Sequence, residues 1–323
     1  MSYTCAPISL ENFESSWNDL QHLNLSSVFV LPRWLKVWSR AFGEDSQRYL
    51  FEVRENRNVI GIAPLMVNSG KALFIGSADV CDYMDFVVAP GEERGFFTAV
   101  LDKLKNDGIE ELYLESLRHD STVMTSLTDT AKDKGYEVTV TRENVSLDLD
   151  LPSTWDKYLG TLSPKQRRET GRRFRRLDEE GTINYRVVED AKPEILDIFF
   201  KLMRVSRKDK AAFLTPRMES FFRAVAHTMA DAGMLRFGIL EISSKPVAAV
   251  MCFDYNEKVY LYNSGYNPEY GYISVGLLSK LLSIKDSIER GRKVYDFLKG
   301  PEEYKYRLGG KEIPIYSCGI ILT

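Results

Sequence analysis

Two hydrophobic periods alternate along this chain. Apolar residues recur every three to four positions in some stretches and every second position in others, with turn residues between them. In the first half this pattern predicts helices over 13–20 and 32–42, the second with Pro32 at its start, where proline is tolerated. Strands over 48–54 and 59–67 flank the turn 55–58 and read as a hairpin. Short strands follow at 73–76 and 85–88. Phe97, Val100, Leu101 and Leu104 share one helical face, and Gly108 closes that helix. A strand at 111–117, a helix at 121–134 and two half-buried strands at 136–140 and 145–149 complete the half.

The second half repeats the order. Ser163-Pro164-Lys165-Gln166 is a capping box with proline at the first helical position, and it opens a helix that stops at Gly181. A strand at 183–188 precedes helices at about 192–207 and 216–231. Strands at 235–242 and 247–255 form a hairpin through 243–246, and 259–266 is a third strand. A helix over 274–290 turns Leu277, Leu278, Leu281, Leu282 and Ile288 inward. A strand at 293–298, a short helix at 302–308 and a last strand at 313–321 end the chain. Neither half alternates strand and helix strictly, so the expected fold class is α/β with mixed sheets, an α+β arrangement in two tandem copies. The expected domains are 1–150 and 151–323. An internal duplication accounts for the shared order, and two unrelated mixed domains are the alternative.

Length agrees with that division: 323 residues exceed the roughly 100–200 of one ordinary domain. The net charge of −3 conceals an asymmetry. Residues 1–150 carry 14 Lys and Arg against 24 Asp and Glu, and residues 151–323 carry 29 against 22. An anionic ligand therefore belongs to the second half, unless the two surfaces serve each other. Cys5, Cys81, Cys252 and Cys318 lie far apart with no C-x-x-C pair, and the three histidines are scattered. That spacing speaks against a metal site or a disulfide scaffold and for a reducing, cytoplasmic setting. No apolar run approaches the roughly 20 residues that cross a bilayer. The N-terminal residues show neither a basic nor an apolar leader segment, so no secretory signal is expected.

Local patterns add a resemblance. LSPKQRRETGRRFRRLDEEG (162–181), GYNPEYGYISVGLL (265–278) and YDFLKGPEEYKYRLG (295–309) resemble segments of GNAT-superfamily acyltransferases, in the tandem branch that includes FemAB-like and CelD/BcsL-like proteins. The first half matches more loosely, through SVFVLPRWLKVW (27–38), VIGIAPLM (59–66) and DYMDFVV (82–88). The resemblance implies two GNAT-like domains and transfer of an acyl group from a thioester such as acetyl-CoA to an amine, with no metal. An amino sugar of envelope or exopolysaccharide assembly is the acceptor it favours, and no DNA partner is expected. It equally admits a FemX-like enzyme that takes an aminoacyl group from tRNA. A non-catalytic protein that binds an anionic polymer is the third reading. The superfamily's usual phosphate-loop pattern, Q/R-x-x-G-x-G/A, is absent.

Acyl transfer needs a grip on the donor, a group facing the developing oxyanion and a route for the amine's proton. Ser274, Val275, Gly276 and Leu277 open the helix after the third strand. Free N–H groups and the positive dipole end there suit a phosphate, and an ordinary capped helix is the plainer reading. Lys165, Arg167, Arg168, Arg172, Arg173, Arg175 and Arg176 oppose Glu169 alone within 163–177, an excess of six positive charges. Arg168/Arg172 and Arg172/Arg176 repel at i,i+4, so an anion is expected to offset them, with Arg172 and Arg173 as contacts. Asp296, in an apolar strand, reads as a general base or as a turn cap. The pair Tyr304-Lys305 matches the aromatic–lysine pair of FemX-like enzymes, which the resemblance places near the donor phosphate or the oxyanion. Tyr262 and Tyr266 read as cleft residues or as core. In the first half Asp82, Tyr83 and Asp85 match the family's interdomain motif and suit a cationic acceptor, while Trp34 could stack on a sugar.

Overall fold

The computed structural model describes the chain outside residues 1–2, 17–19, 21 and 46. Two units divide it, Met1–Val145 with Ile313–Thr323, and Ser146–Glu312. The last strand, expected to close the second domain, is thus counted for most of its length with the first.

The first unit runs β1 (Tyr3–Pro7), α1 (Leu10–Ser15), α2 (Pro32–Phe42), β2 (Gln47–Glu55), β3 (Asn58–Asn68), β4 (Lys71–Phe74), β5 (Val87–Val88), α3 (Glu93–Asn106), β6 (Glu111–Arg118), α4 (Thr128–Asp133) and the start of β7 (Glu137–Asp150). The expected helix over 13–20 lies partly outside the described residues, and residues 13–15 of it belong to α1. Asn56, at φ 56°, turns the β2–β3 hairpin. The two strands expected over 136–149 are one. Residues 137–143 of β7 are mostly exposed, so their alternation reflects strand geometry and not a second buried face. Strand β1, too short to stand out in sequence, pairs with β2.

The second unit continues with α5 (Trp155–Thr161), α6 (Pro164–Asp178), β8 (Ile183–Val188), α7 (Pro193–Ser206), α8 (Lys208–Phe213), α9 (Pro216–Asp231), β9 (Leu235–Ile242), β10 (Lys245–Tyr255), β11 (Lys258–Tyr266), α10 (Val275–Glu289), β12 (Val294–Lys299), α11 (Glu303–Arg307) and β13 (Lys311–Ile321). The capping box at α6 is formed: the Gln166 N–H donates to Ser163 Oγ at 3.3 Å, and the Ser163 N–H donates to Gln166 Oε1 at 2.9 Å.

Strand order repeats between the units. In the first it is β1-β2-β3-β4-β6-β13, with β4 and β6 parallel. In the second it is β8-β9-β10-β11-β12, followed by residues 146–150 of β7, with β11 and β12 parallel. A parallel pair holds the same place in both orders, the arrangement expected of a duplicated mixed-sheet fold.

Candidate active site

In the second unit the parallel pair comes apart. β11 and β12 are in register only at Lys258↔Val294, Val259↔Tyr295 and Tyr260↔Asp296. β11 then continues to Tyr266 and β12 to Lys299 without pairing to each other. Each strand carries a bulge where they part. On β11 the partner of Met251 is Asn263 and that of Cys252 is Leu261, so Tyr262 is the extra residue. On β12 the pairing with β7 shifts between Asp296 and Lys299. An extra residue bends its strand away from the ladder, and two such bends open a cleft between neighbouring strands.

Leu298, in the β12 bulge, has φ 62°. A branched, buried side chain in the left-handed region costs roughly 1–3 kcal/mol and persists only where its surroundings enforce it. Two charged side chains do so here. Asp296, fully buried, accepts the Leu298 N–H on Oδ1 at 2.8 Å. Lys305, 1% exposed, donates from Nζ to the carbonyls of Leu298 at 2.9 Å, Lys299 at 2.8 Å and Gly300 at 2.9 Å, and pairs with Glu302 at 2.8 Å. These two residues, read in the sequence as oxyanion partner and base, are thus both engaged with the backbone of the turn.

Helix α10 forms another wall. Its N-cap, Ser274, is left-handed at φ 64° and makes no side-chain cap. The helix therefore starts abruptly after the turn 268–273. Gly276 lies under Tyr266: a Cβ at that position would stand 2.8 Å from the Tyr266 ring, which is the reason for glycine there. Val275 is buried, whereas Ser274, Gly276 and Leu277 are half-buried. The basic helix α6 lies against the turn 268–273.

Two lysines that sequence reasoning did not single out complete the cleft. Lys280, 7% exposed, donates to the Gly276 carbonyl at 2.9 Å and stands 4.9 Å from the centre of the Tyr304 ring. Burial, reinforced by the charge of Lys210, pushes its pKa down to about 7. Lys210, on α8, donates to Asn263 Oδ1 at 3.0 Å and to the Ser264 carbonyl at 2.5 Å. Burial and the neighbouring Arg207 push its pKa down to about 8. Tyr304, half-buried, is held neutral because burial raises its pKa. A signal for Lys280 was present, since it lies one turn before Ile284 on the apolar stripe of its helix. Lys210 sits in a six-residue helix that gives no periodic pattern.

Other expected contacts lie elsewhere. Trp34 is fully buried, packs edge-on against Phe29 at 4.9 Å and donates from Nε1 to Cys81 Sγ at 3.3 Å, so it cannot stack on a sugar. Tyr83 is buried with its ring centre 5.9 Å from that of Phe29 and the Arg118 guanidinium 5.0 Å from its ring. Asp85 is buried and accepts from the Thr122 N–H at 2.9 Å, Thr122 Oγ1 at 2.6 Å and the Phe86 N–H at 2.9 Å. Its oxygens tie together its own unit and are not turned to a ligand, and burial raises its pKa to about 6. Asp82 is half-buried. Tyr262 packs between Phe222 and Phe253, with ring centres 5.2 and 5.1 Å away, which is the core reading. Arg172 and Arg173 share Glu169, at 2.6 and 2.9 Å. Arg167 donates to the carbonyls of Leu159 and Gly160 at the end of α5. Lys165, Arg168, Arg175 and Arg176 remain exposed.

Residues 164–306 match the family model described as the acetyltransferase (GNAT) domain. The matched residues lie within the second unit. Among solved structures the chain is similar to FemX, with a TM-score of 0.66 at 11% identity over 97% of this chain and 96% of that one. It is also similar to a tandem GNAT protein from the clavulanic acid biosynthesis pathway, with a TM-score of 0.53 at 12% identity over 98% of both chains. A third is the C-terminal domain of a putative lysylphosphatidylglycerol synthetase from Agrobacterium fabrum, with a TM-score of 0.58 at 11% identity over 96% and 92%. At these identities the likeness is one of fold: a tandem GNAT-like arrangement. No curated protein matches the chain. Among the described residues no helix is long and apolar enough to cross a membrane.

Proposed function

We propose that this protein is an N-acyltransferase that takes an acyl group from acyl-CoA and passes it to an amine. The observation that carries the reading is the cleft between β11 and β12, bordered by the uncapped start of α10. A thioester carbonyl laid between the parted strands meets backbone released from the ladder, and the donor's diphosphate meets the N-terminus of α10. The amine attacks that carbonyl, a C–N bond forms and the C–S bond breaks. The thiolate then takes up a proton, and the amine loses one. Tyr304, neutral and at the cleft, is suited to supply the thiolate's proton. Asp296 and Lys305 act as positioning residues that hold the Leu298 bulge, and with it the mouth of the cleft.

The acceptor is an amine, and an amino sugar of envelope or exopolysaccharide assembly is the reading drawn from the CelD/BcsL-like resemblance. A second donor is favoured by one observation. Beyond the arginines engaged by Glu169 and by the end of α5, four exposed cations on α6 exceed what a single diphosphate needs, and they suit the longer phosphate backbone of an aminoacyl-tRNA. Calorimetric titration with acetyl-CoA and with tRNA, together with release of free CoA thiol in the presence of a panel of amines, separates the two. Saturable acetyl-CoA binding with amine-dependent thiol release supports the first. Tight tRNA binding without any acetyl-CoA binding overturns it in favour of the second.

A further inference from the structure

The charges around the cleft do not balance. Lys305 is neutralised by Glu302 and three carbonyls. Among the described residues, the hydrogen-bond and ring partners of Lys280 are the Gly276 carbonyl and the Tyr304 ring, and those of Lys210 are Asn263 and the Ser264 carbonyl. Asp209, beside Lys210 in sequence, is held by Arg207 through two bonds, at 3.0 and 2.7 Å. The cleft therefore sets three lysines, Lys210, Lys280 and Lys305, against the single carboxylate of Glu302, which attracts all three, and Lys280 feels the repulsion of both other lysines. An ammonium has three donors, and the Gly276 carbonyl uses one of those on Lys280.

Such an arrangement is costly. Leu278, Leu281 and Ile284 occupy the neighbouring inward positions of α10, so a leucine at position 280 would pack there without a desolvation penalty. Buried like charges are kept where a counter-ion arrives with a ligand. The site is also deep. Lys280 stands on the Tyr304 ring, and Tyr304 adjoins Lys305, which ties down the Leu298–Gly300 turn. A doubly charged diphosphate would have to shed its water to reach that depth, whereas a single carboxylate attached to a small group would shed far less.

We propose that the cleft selects a substrate bearing a carboxylate a few bonds from the reacting centre, with Lys280 and Lys210 as its counter-ions. This rests on the acyl-transfer reading and names its substrate class. The carboxylate can sit on the acyl group, as in a dicarboxylic monoacyl-CoA, or on the acceptor, as in an amino acid.

The test compares acetyl-CoA with succinyl-CoA, each with one neutral amine, and then acetyl-CoA with an amino acid and with the corresponding amino acid amide. Wild type, Lys280→Met and Lys210→Met are used, with thermal melts to verify folding. One carboxylated substrate should be preferred over its neutral counterpart by about tenfold or more in kcat/KM, and that preference should collapse in both variants while affinity for free CoA stays within about twofold. Preference in the first pair assigns the carboxylate to the acyl group, and preference in the second assigns it to the acceptor. Turnover without preference in either pair overturns this proposal and leaves acyl transfer standing. Loss of free CoA affinity in either folded variant assigns the lysines to the diphosphate and also overturns it. If no acyl-CoA binds the wild type, the acyl-transfer reading itself fails.

Discussion

Asp296 and Lys305 hold Leu298 between them: the carboxylate accepts from its N–H at 2.8 Å, and the ammonium donates to its carbonyl at 2.9 Å. The two side chains serve one strained peptide segment, so their effects should be coupled. Asp296→Ala and Lys305→Met are each expected to lower stability by about 1–3 kcal/mol, because each leaves buried polar groups without a partner. The double variant should lose less than the sum, with a coupling of roughly 0.5–3 kcal/mol in denaturant unfolding. Turnover should fall in both without a change in the shape of the pH profile. A folded, fully stable Asp296→Asn variant that loses one limb of that profile would instead return the carboxylate to the role of base.

Lys280 makes stability depend on pH in a definite direction. Its pKa falls from 10.5 in the unfolded chain to about 7 in the fold. Between those values the unfolded state binds more protons, so stability rises with pH, and the cost of burying the ammonium is fully present below about pH 7. Lys280→Met removes that cost. The variant should be more stable than wild type by ~1–4 kcal/mol near pH 6, and the gain should shrink towards pH 10. Chemical denaturation at pH 6, 8 and 10 reads this. A variant destabilised equally at every pH would mean that the lysine is offset within the protein itself.

The basic helix can be tested apart from the cleft. Arg172 and Arg173 are occupied by Glu169, so the informative change is at Arg168 and Arg175, both exposed. Arg168→Glu with Arg175→Glu should leave acetyl-CoA affinity near that of wild type if the donor is acyl-CoA. If tRNA is the donor, its affinity should fall at least tenfold and show a steep salt dependence in wild type. Filter binding at 50 and 200 mM salt distinguishes these outcomes.

Trp34 belongs to the interior of the first unit. Trp34→Ala is expected to cost about 3–5 kcal/mol through the cavity it leaves, and Trp34→Phe less. In Trp34→Phe the KM for the amine should stay unchanged. A raised KM with an unchanged melting temperature would restore the stacking role.

Most of the scaffold was legible because its elements have clean periods. β8 and β9 lie where alternation put them, and α10 and β12 fall within a residue at either end. The capping box marked the start of α6. What escaped notice has physical causes. β1 is five residues long, and α8 six, too short for a period to show. The last strand's pairing with β6 is non-local, and no local pattern encodes which sheet a strand joins. In the segment 295–309, Asp296 and Lys305 both bind the backbone of the Leu298 turn, and Tyr304 lies beside Lys280. The roles of Asp296 and Lys305 were not legible, because the left-handed turn at Leu298 leaves no mark in residue type. Trp34 and Asp85 misled for a related reason. Aromatic and acidic residues look like ligand contacts in a sequence, and only burial distinguishes a binding group from a structural tie.

The claim that an acyl donor is seated at the start of α10 is tested most directly by acetyl-CoA affinity in Gly276→Asn and Gly276→Asp. Both side chains meet the Tyr266 ring equally, because a Cβ there stands 2.8 Å from it, so the two variants differ in charge and hardly in shape. Titration calorimetry should find the Asp variant at least tenfold weaker than the Asn variant, through repulsion between a carboxylate and a phosphate at one helix terminus. Equal affinities in two folded variants would contradict the placement of the donor.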